Sequence, residues 1–121
     1  MAKKIMAVDD SPTILELLHD ILTTAGYDVI TAVDGADALA KLGRESCDML
    51  VTDLNMPQLD GIGLVSAVRK LPGRRFLPIL MLTSETDGAK KIAGKAAGAS
   101  AWIDKPFKPQ QLLSIVQMVL R

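Results

Sequence analysis

Reactive side chains recur in this sequence where apolar runs stop. KIMAVDD closes on Asp9 and Asp10, and MLVTD closes on Asp53, with Asn55 just beyond. ILMLTS ends in the hydroxyls of Thr83 and Ser84, and AWIDK ends in Lys105. A bare carboxylate at the margin of an apolar core is costly unless something pairs with it, so the rest of the chain must supply a partner. Carboxylates drawn together also repel one another. Oxygen ligands of this kind suit a hard cation such as Mg²⁺, which one or two carboxylates, waters and a phosphate can hold. With the ion present, Asp53 can be an ionised nucleophile toward a phosphoryl group, giving an aspartyl-phosphate. The ion, the Lys105 ammonium and the Thr83 hydroxyl would then neutralise or hydrogen-bond the phosphoryl oxygens.

For these residues to meet, the runs that carry them must be strands of one sheet. Apolar strands and amphipathic helices alternate along the chain, with no long linker, low-complexity tract or strong repeat. Strands are expected at 4–9, 28–32, from Met49 to Asp53, at 77–82 and at 99–104, and helices at 12–25, 35–45, 61–70, 86–97 and 109–120. Ser11 and Pro12 read as an N-cap followed by proline at the first helical position, and Gly26 ends that helix. The first helix is expected to bury Ile14, Leu15, Leu17, Leu18, Ile21 and Leu22, leaving His19, the only histidine, in solvent. The second offers Ala36, Leu39, Ala40 and Leu42. The fourth, punctuated by Gly88 and Gly94, buries little more than Ile92 and alanines and should be the least stable. The closing helix faces inward with Leu112, Leu113, Val116 and Val119.

Alternating strands and helices predict an α/β, flavodoxin-like (βα)5 fold: a five-stranded parallel sheet in the order 2-1-3-4-5 with helices on both faces. Right-handed crossovers bring the carboxyl ends of all strands to one edge, where ligands bind. Strand two, alone in ending without a reactive group, lies at the outer edge, where such a group would be useless.

At 121 residues the chain fits a single domain, expected over 1–121. Hydrophobic residues make up 49%, yet no apolar run approaches the ~20 residues a membrane span needs. The start, MAKKIMAVDD, contains no secretory h-region, so a soluble, cytoplasmic protein is expected. The lone Cys47 has no internal disulfide partner and reads as an ordinary half-buried thiol. Residues 1–60 hold 11 acids against 4 bases, and residues 61–121 hold 3 acids against 10 bases. With aromatics at 3%, the basic half argues for an acidic protein partner rather than nucleic acid.

The motifs VDDSPT, VTDLNMPQLDG, MLTSE and GASAWIDKPF resemble the receiver domain of two-component response regulators over essentially the whole chain. DDS, Asn55, Glu85 and KPF are most similar to the stand-alone chemotaxis regulators, so no output domain is expected. The resemblance implies that Asp53 accepts phosphate from a histidine kinase. It implies that Asp10, Asp53 and the Asn55 carbonyl ligate Mg²⁺ while Asp9 helps through water. Thr83 and Trp102 would be a switch pair, Lys105 would contact the phosphoryl group, and a cis Lys105–Pro106 bond is allowed. Phosphorylation would bias the surface of helix 4, strand 5 and helix 5 toward a partner protein, without nucleic acid or membrane, in a monomer. Such a domain is a phosphoacceptor that catalyses its own phosphorylation and dephosphorylation rather than an enzyme with a separate substrate.

Two features depart from the common pattern. Trp102 stands where tyrosine or phenylalanine is usual, and the bulkier indole is not expected to swing fully into the space that Thr83 vacates. Asp104 shares a strand face with Trp102 and reads first as a solvated edge charge, with a pairing to a fourth-helix lysine as the alternative. An aspartate-nucleophile phosphatase fits less well, because Asn55 stands where those enzymes carry a second acid. A flavin or nucleotide domain would need a glycine-rich first turn in place of DDSPT. A receiver-like adaptor working without phosphorylation would not need the complete set of acids, threonine and lysine.

Overall fold

The computed structural model describes residues 2–56, 59–84 and 88–120. Its strands are β1 (Lys4–Val8), β2 (Asp28–Ala32), β3 (Met49–Asp53), β4 (Ile79–Thr83) and β5 (Ala101–Asp104). All neighbours pair in parallel, in the expected order β2-β1-β3-β4-β5. β3 and β4 are buried along their whole length, which is why they read as unbroken apolar runs, while β2 at the edge is only half-buried.

The helices are α1 (Pro12–Thr24), α2 (Gly35–Leu42), α3 (Gly61–Arg69), α4 (Gly88–Ala97) and α5 (Pro109–Val119). α1 and α5 cover one face, packing Leu18, Leu22, Leu112 and Val116 onto Ile5, Val51 and Leu80. α2 and α3 cover the other, packing Leu42, Leu64 and Val68 onto Met6, Leu50 and Met81, with Trp102 joining this layer. Three helices begin with a side-chain cap. Ser11 accepts from the N–H of Ile14 at 3.3 Å, Asp34 from Asp37 at 2.7 Å and Asp60 from Gly63 at 2.8 Å. Asp37 also accepts from Val33 N–H at 3.0 Å and pairs with Lys41 at 3.3 Å, and these contacts, the Val33 N–H first, hold its carboxyl below the usual range. Lys41 in turn donates to the Thr31 carbonyl at 2.6 Å, tying α2 to the edge strand.

The helix faces correct the sequence reading in three places. Leu17, expected inside, is 42% exposed, because the buried stripe of α1 runs through Leu15, Leu18 and Leu22 and leaves Leu17 on its flank. In α2 the buried stripe is Gly35, Ala38 and Leu42, so Ala36 and Ala40 face solvent. In α4, Ile92 is 71% exposed and Gly94 is the buried residue. α2 also stops at Leu42 rather than near Glu45: past Gly43, the amides of Arg44 and Glu45 both donate to the Lys41 carbonyl in tight turns. β4 begins later than expected, at Ile79, after Pro78, which has no N–H to give. Glu85 and the expected start of the fourth helix at Thr86 lie outside the described residues.

Cys47 is a half-buried free thiol, and burial pushes its ionisation above the ordinary range. Iodoacetamide should therefore alkylate it several-fold more slowly near neutral pH than it alkylates a small free thiol, because little thiolate is present. Equal rates in a mass-spectrometric time course would contradict this.

Candidate functional site

The carboxyl edge of the sheet gathers the charged residues. Asp9 lies one position past β1, its N–H donating to the Ala32 carbonyl at 3.2 Å, and its Oδ1 accepts from the Ser11 N–H at 2.9 Å. The α1 cap therefore also aims the acid. Asp53 is the last residue of β3, and the next amide, Leu54 N–H, donates to the Leu82 carbonyl at 3.0 Å, holding the strand end against β4. Lys105 follows β5, its own N–H donating to the Thr83 carbonyl at 2.7 Å. Its ammonium reaches Asp53 Oδ1 at 2.9 Å and Asp9 Oδ2 at 3.2 Å. The partner required by the strand-end acids is Lys105.

One cation does not balance this pocket. Asp9 is 1% exposed and Asp53 6%, and oxygens of Asp9, Asp10 and Asp53 all lie within 4.8 Å of one another. Burial raises the Asp9 carboxyl above its ordinary range and the charge of Asp53 adds to this, while the Ser11 N–H and Lys105 oppose it. Burial pulls the Lys105 ammonium down, yet its hydrogen bonds and charge contacts with Asp53 and Asp9 outweigh burial and hold it above its ordinary value. A cluster with excess negative charge and only oxygen donors, two of them on buried acids, fits a small hard divalent cation.

The other expected residues fall around this core. Thr83 ends β4, fully buried, opposite Asp104 in the register. Trp102 pairs in register with Met81, two residues before Thr83, so indole and threonine belong to the same sheet face. Asp104 pairs with Lys91 of α4 at 3.1 Å, an exposed bridge of small energetic weight. Asn55 is exposed in the loop two residues past Asp53. Ser84, Ile14, Leu17, Lys105, Pro106 and Phe107 line an apolar cavity of about 310 Å³ beside the acids. The Lys105–Pro106 peptide is cis.

Sequence reasoning missed Gly61. Its N–H donates to the Leu54 carbonyl at 2.8 Å, and a Cβ there would stand 2.5 Å from the Asp53 carbonyl oxygen and 2.8 Å from Met81 Sδ. The signal was a glycine after the Asp60 cap, where the helix start must approach the site's backbone.

The sequence model of the response regulator receiver domain matches residues 5–117. The chain belongs to the response regulator receiver family. Chemotaxis protein CheY4 of Vibrio cholerae is 47% identical to this receiver domain with a TM-score of 0.95, covering 99% of this chain and 100% of that one. PhoP, the alkaline phosphatase synthesis transcriptional regulatory protein of Bacillus subtilis (strain 168), is 41% identical over 121 residues, which are 100% of this chain and 50% of PhoP. The receiver domain thus spans about half the length of the curated relatives it matches. The receiver domain of a sensor histidine kinase from Pseudomonas aeruginosa, solved with a magnesium ion coordinated in its active site cleft, is 28% identical with a TM-score of 0.89, covering 98% of this chain and 97% of that one. No helix among the described residues of this receiver domain is long and apolar enough to cross a membrane.

Proposed function

We propose that this receiver domain accepts a phosphoryl group from a histidine kinase on Asp53, and that the acyl phosphate changes the affinity of the α4, β5 and α5 surface for a partner protein. The observation that carries this reading is Lys105 bridging Asp53 and Asp9 within an acid cluster too negative for one ammonium. Asp10, Asp53 and the Asn55 carbonyl would hold Mg²⁺, with Asp9 acting through water. When bound, the ion supplies neutralising charge at the phosphoryl oxygens.

The steps belong to this chain's side chains. The Asp53 carboxylate attacks phosphorus, an O–P bond forms, and the P–N bond to the donor imidazole breaks with the electron pair leaving on nitrogen. Lys105 orients Asp53 beforehand and then shares its protons with a phosphoryl oxygen. The Thr83 hydroxyl donates to another, and Trp102 answers the threonine's movement from the same sheet face. Hydrolysis in the same pocket would return the domain to its starting state, so it works as a phosphoacceptor rather than on a separate substrate.

The likeness to CheY4, a chemotaxis protein, supports an output in chemotaxis or motility signalling, and we propose that it runs through protein contact by a cytoplasmic monomer without nucleic acid or membrane. The likeness to PhoP supports a second reading, in which the same switch governs a transcriptional regulator. The test is intact-mass measurement after incubation with acetyl phosphate and Mg²⁺. Wild type should gain one phosphoryl group, lose that uptake with a chelator, and show none in Asp53→Asn. Undiminished labelling of Asp53→Asn would overturn the assignment.

A further inference from the structure

Gly94 is the one buried residue that α4 turns toward the sheet. What it meets is Trp102. A Cβ at position 94 would stand 2.8 Å from the indole Cζ2, closer still to Cη2, and 3.4 Å from Cζ3. Approaches under 3.0 Å are essentially never shown by real Cβ atoms, so the six-membered ring is seated on bare helix backbone. Gly88, in the same helix, would meet nothing within 4 Å and makes no such contact. Glycine weakens a helix interior relative to alanine, so the residue at 94 is explained by the ring and not by helix stability.

The helix is tied on both sides of this seat. Toward its carboxyl end, the Arg69 guanidinium donates to the carbonyls of Arg74 at 3.1 Å, Leu77 at 2.5 Å and Gly98 at 2.6 Å, joining α3, the turn before β4 and the turn after α4. The N–H groups of Gly98 and Ala99 both return to the Gly94 carbonyl at 3.1 Å. One turn earlier, Lys91 pairs with Asp104 of β5. The indole therefore lies under a short span of helix held at each side.

We infer that Gly94 is a positioning residue that seats Trp102 and makes the indole and α4 change place together. An indole leaving the half-buried seat uncovers a ring-sized space against the bare α4 backbone, and an α4 moving inward is stopped by the ring; close packing disfavours both the gap and the overlap. The bulky ring that departs from the family's usual aromatic is thus accommodated by the removal of one Cβ on the helix above it. The signalling consequence, that α4 reads the indole's position, rests on the proposed phosphoacceptor chemistry; the seat itself does not.

The experiment is a four-protein cycle of wild type, Gly94→Ala, Trp102→Leu and the double variant. Gly94→Ala should lower Tm in the wild-type background and raise it in the Trp102→Leu background, where the ring is gone and only alanine's helix preference remains. Its Trp102 emission should shift to the red, with acrylamide quenching at least doubled relative to wild type. The same sign of Tm change in both backgrounds, or unmoved emission, overturns the seat. If Gly94→Ala fails to fold while the double variant folds, the seat is upheld; if both fail, it is refuted. A last arm adds beryllofluoride and Mg²⁺, with adduct formation followed by fluorine NMR. The wild type should form the adduct and shift its emission, whereas Gly94→Ala should form it with less than half that shift. A full shift in Gly94→Ala refutes the coupling. Absence of the adduct in wild type refutes the phosphoacceptor reading and leaves the thermal cycle to decide the seat.

Discussion

Lys105→Met should destabilise the metal-free protein by about 3 kcal/mol, toward the lower end of what breaking a buried ion pair costs, because the lysine side chain keeps 20% of its surface in water. The substitution removes the only cation bonded to Asp53 and Asp9 among the described ion pairs, leaving two buried carboxylates to repel each other. Three rescues should follow. Mg²⁺ should restore much of the loss by replacing the missing charge, and Asp9→Asn in the same chain should restore part of it by removing one acid. Mild acid should help as well. The Asp9 carboxyl is already held above its ordinary range by burial and by Asp53, and without the ammonium it rises further. The folded state then binds more protons than the unfolded one, so stability increases as pH falls from neutral toward the ordinary carboxylate range. Urea unfolding with and without Mg²⁺ reads all three. A metal-free variant as stable as wild type would mean that Lys105 does not balance the buried acids.

The second large effect is expected at Gly61. Alanine there would place its Cβ against the Asp53 carbonyl oxygen, Met81 Sδ and Leu54 Cα, the last at 2.9 Å. Two of these three are backbone atoms and cannot swing aside, and Leu54 is pinned to Leu82 through its amide. Overpacking of this kind costs about 3 kcal/mol. Because the strain falls on the end of β3, phosphoryl uptake should slow in the same variant. Gly88→Ala is the control, since its Cβ enters open space and should stabilise α4 by up to about 1 kcal/mol. A Gly61→Ala protein within about 0.5 kcal/mol of wild type in urea would show that the strand end yields more easily than its contacts imply.

The strand order and the gathering of Asp9, Asp10, Asp53, Thr83 and Lys105 were legible because each rests on local pattern plus one rule about parallel crossovers. An apolar run ending on a reactive residue, repeated along the chain, leaves few arrangements in which every charge finds a partner. Leu17 was misread for a different reason. Helical period defines a stripe but not its edge, and which flank is covered depends on the elements packed against the helix. Gly61 and Gly94 were invisible as site residues because their meaning lies in distant partners: Asp53 and Met81 for one, Trp102 for the other. The three carbonyls that engage Arg69 are likewise set by turns that no periodicity encodes. Ile92 was misread in the same way, since α4 turns Gly94 rather than Ile92 toward the indole.

The bond from Lys105 to Asp9 spans 96 positions, and the bond to Asp53 spans 52. Contacts this far apart form late, after the nearer strand pairs have closed their loops. During synthesis the amino-terminal half emerges first, carrying both acids, and their counter-charge arrives only when nearly the whole domain has left the ribosome. Until Lys105 has emerged, the pocket lacks the ammonium that pairs with both acids. Its assembly therefore waits on the fifth strand and the residue that follows it.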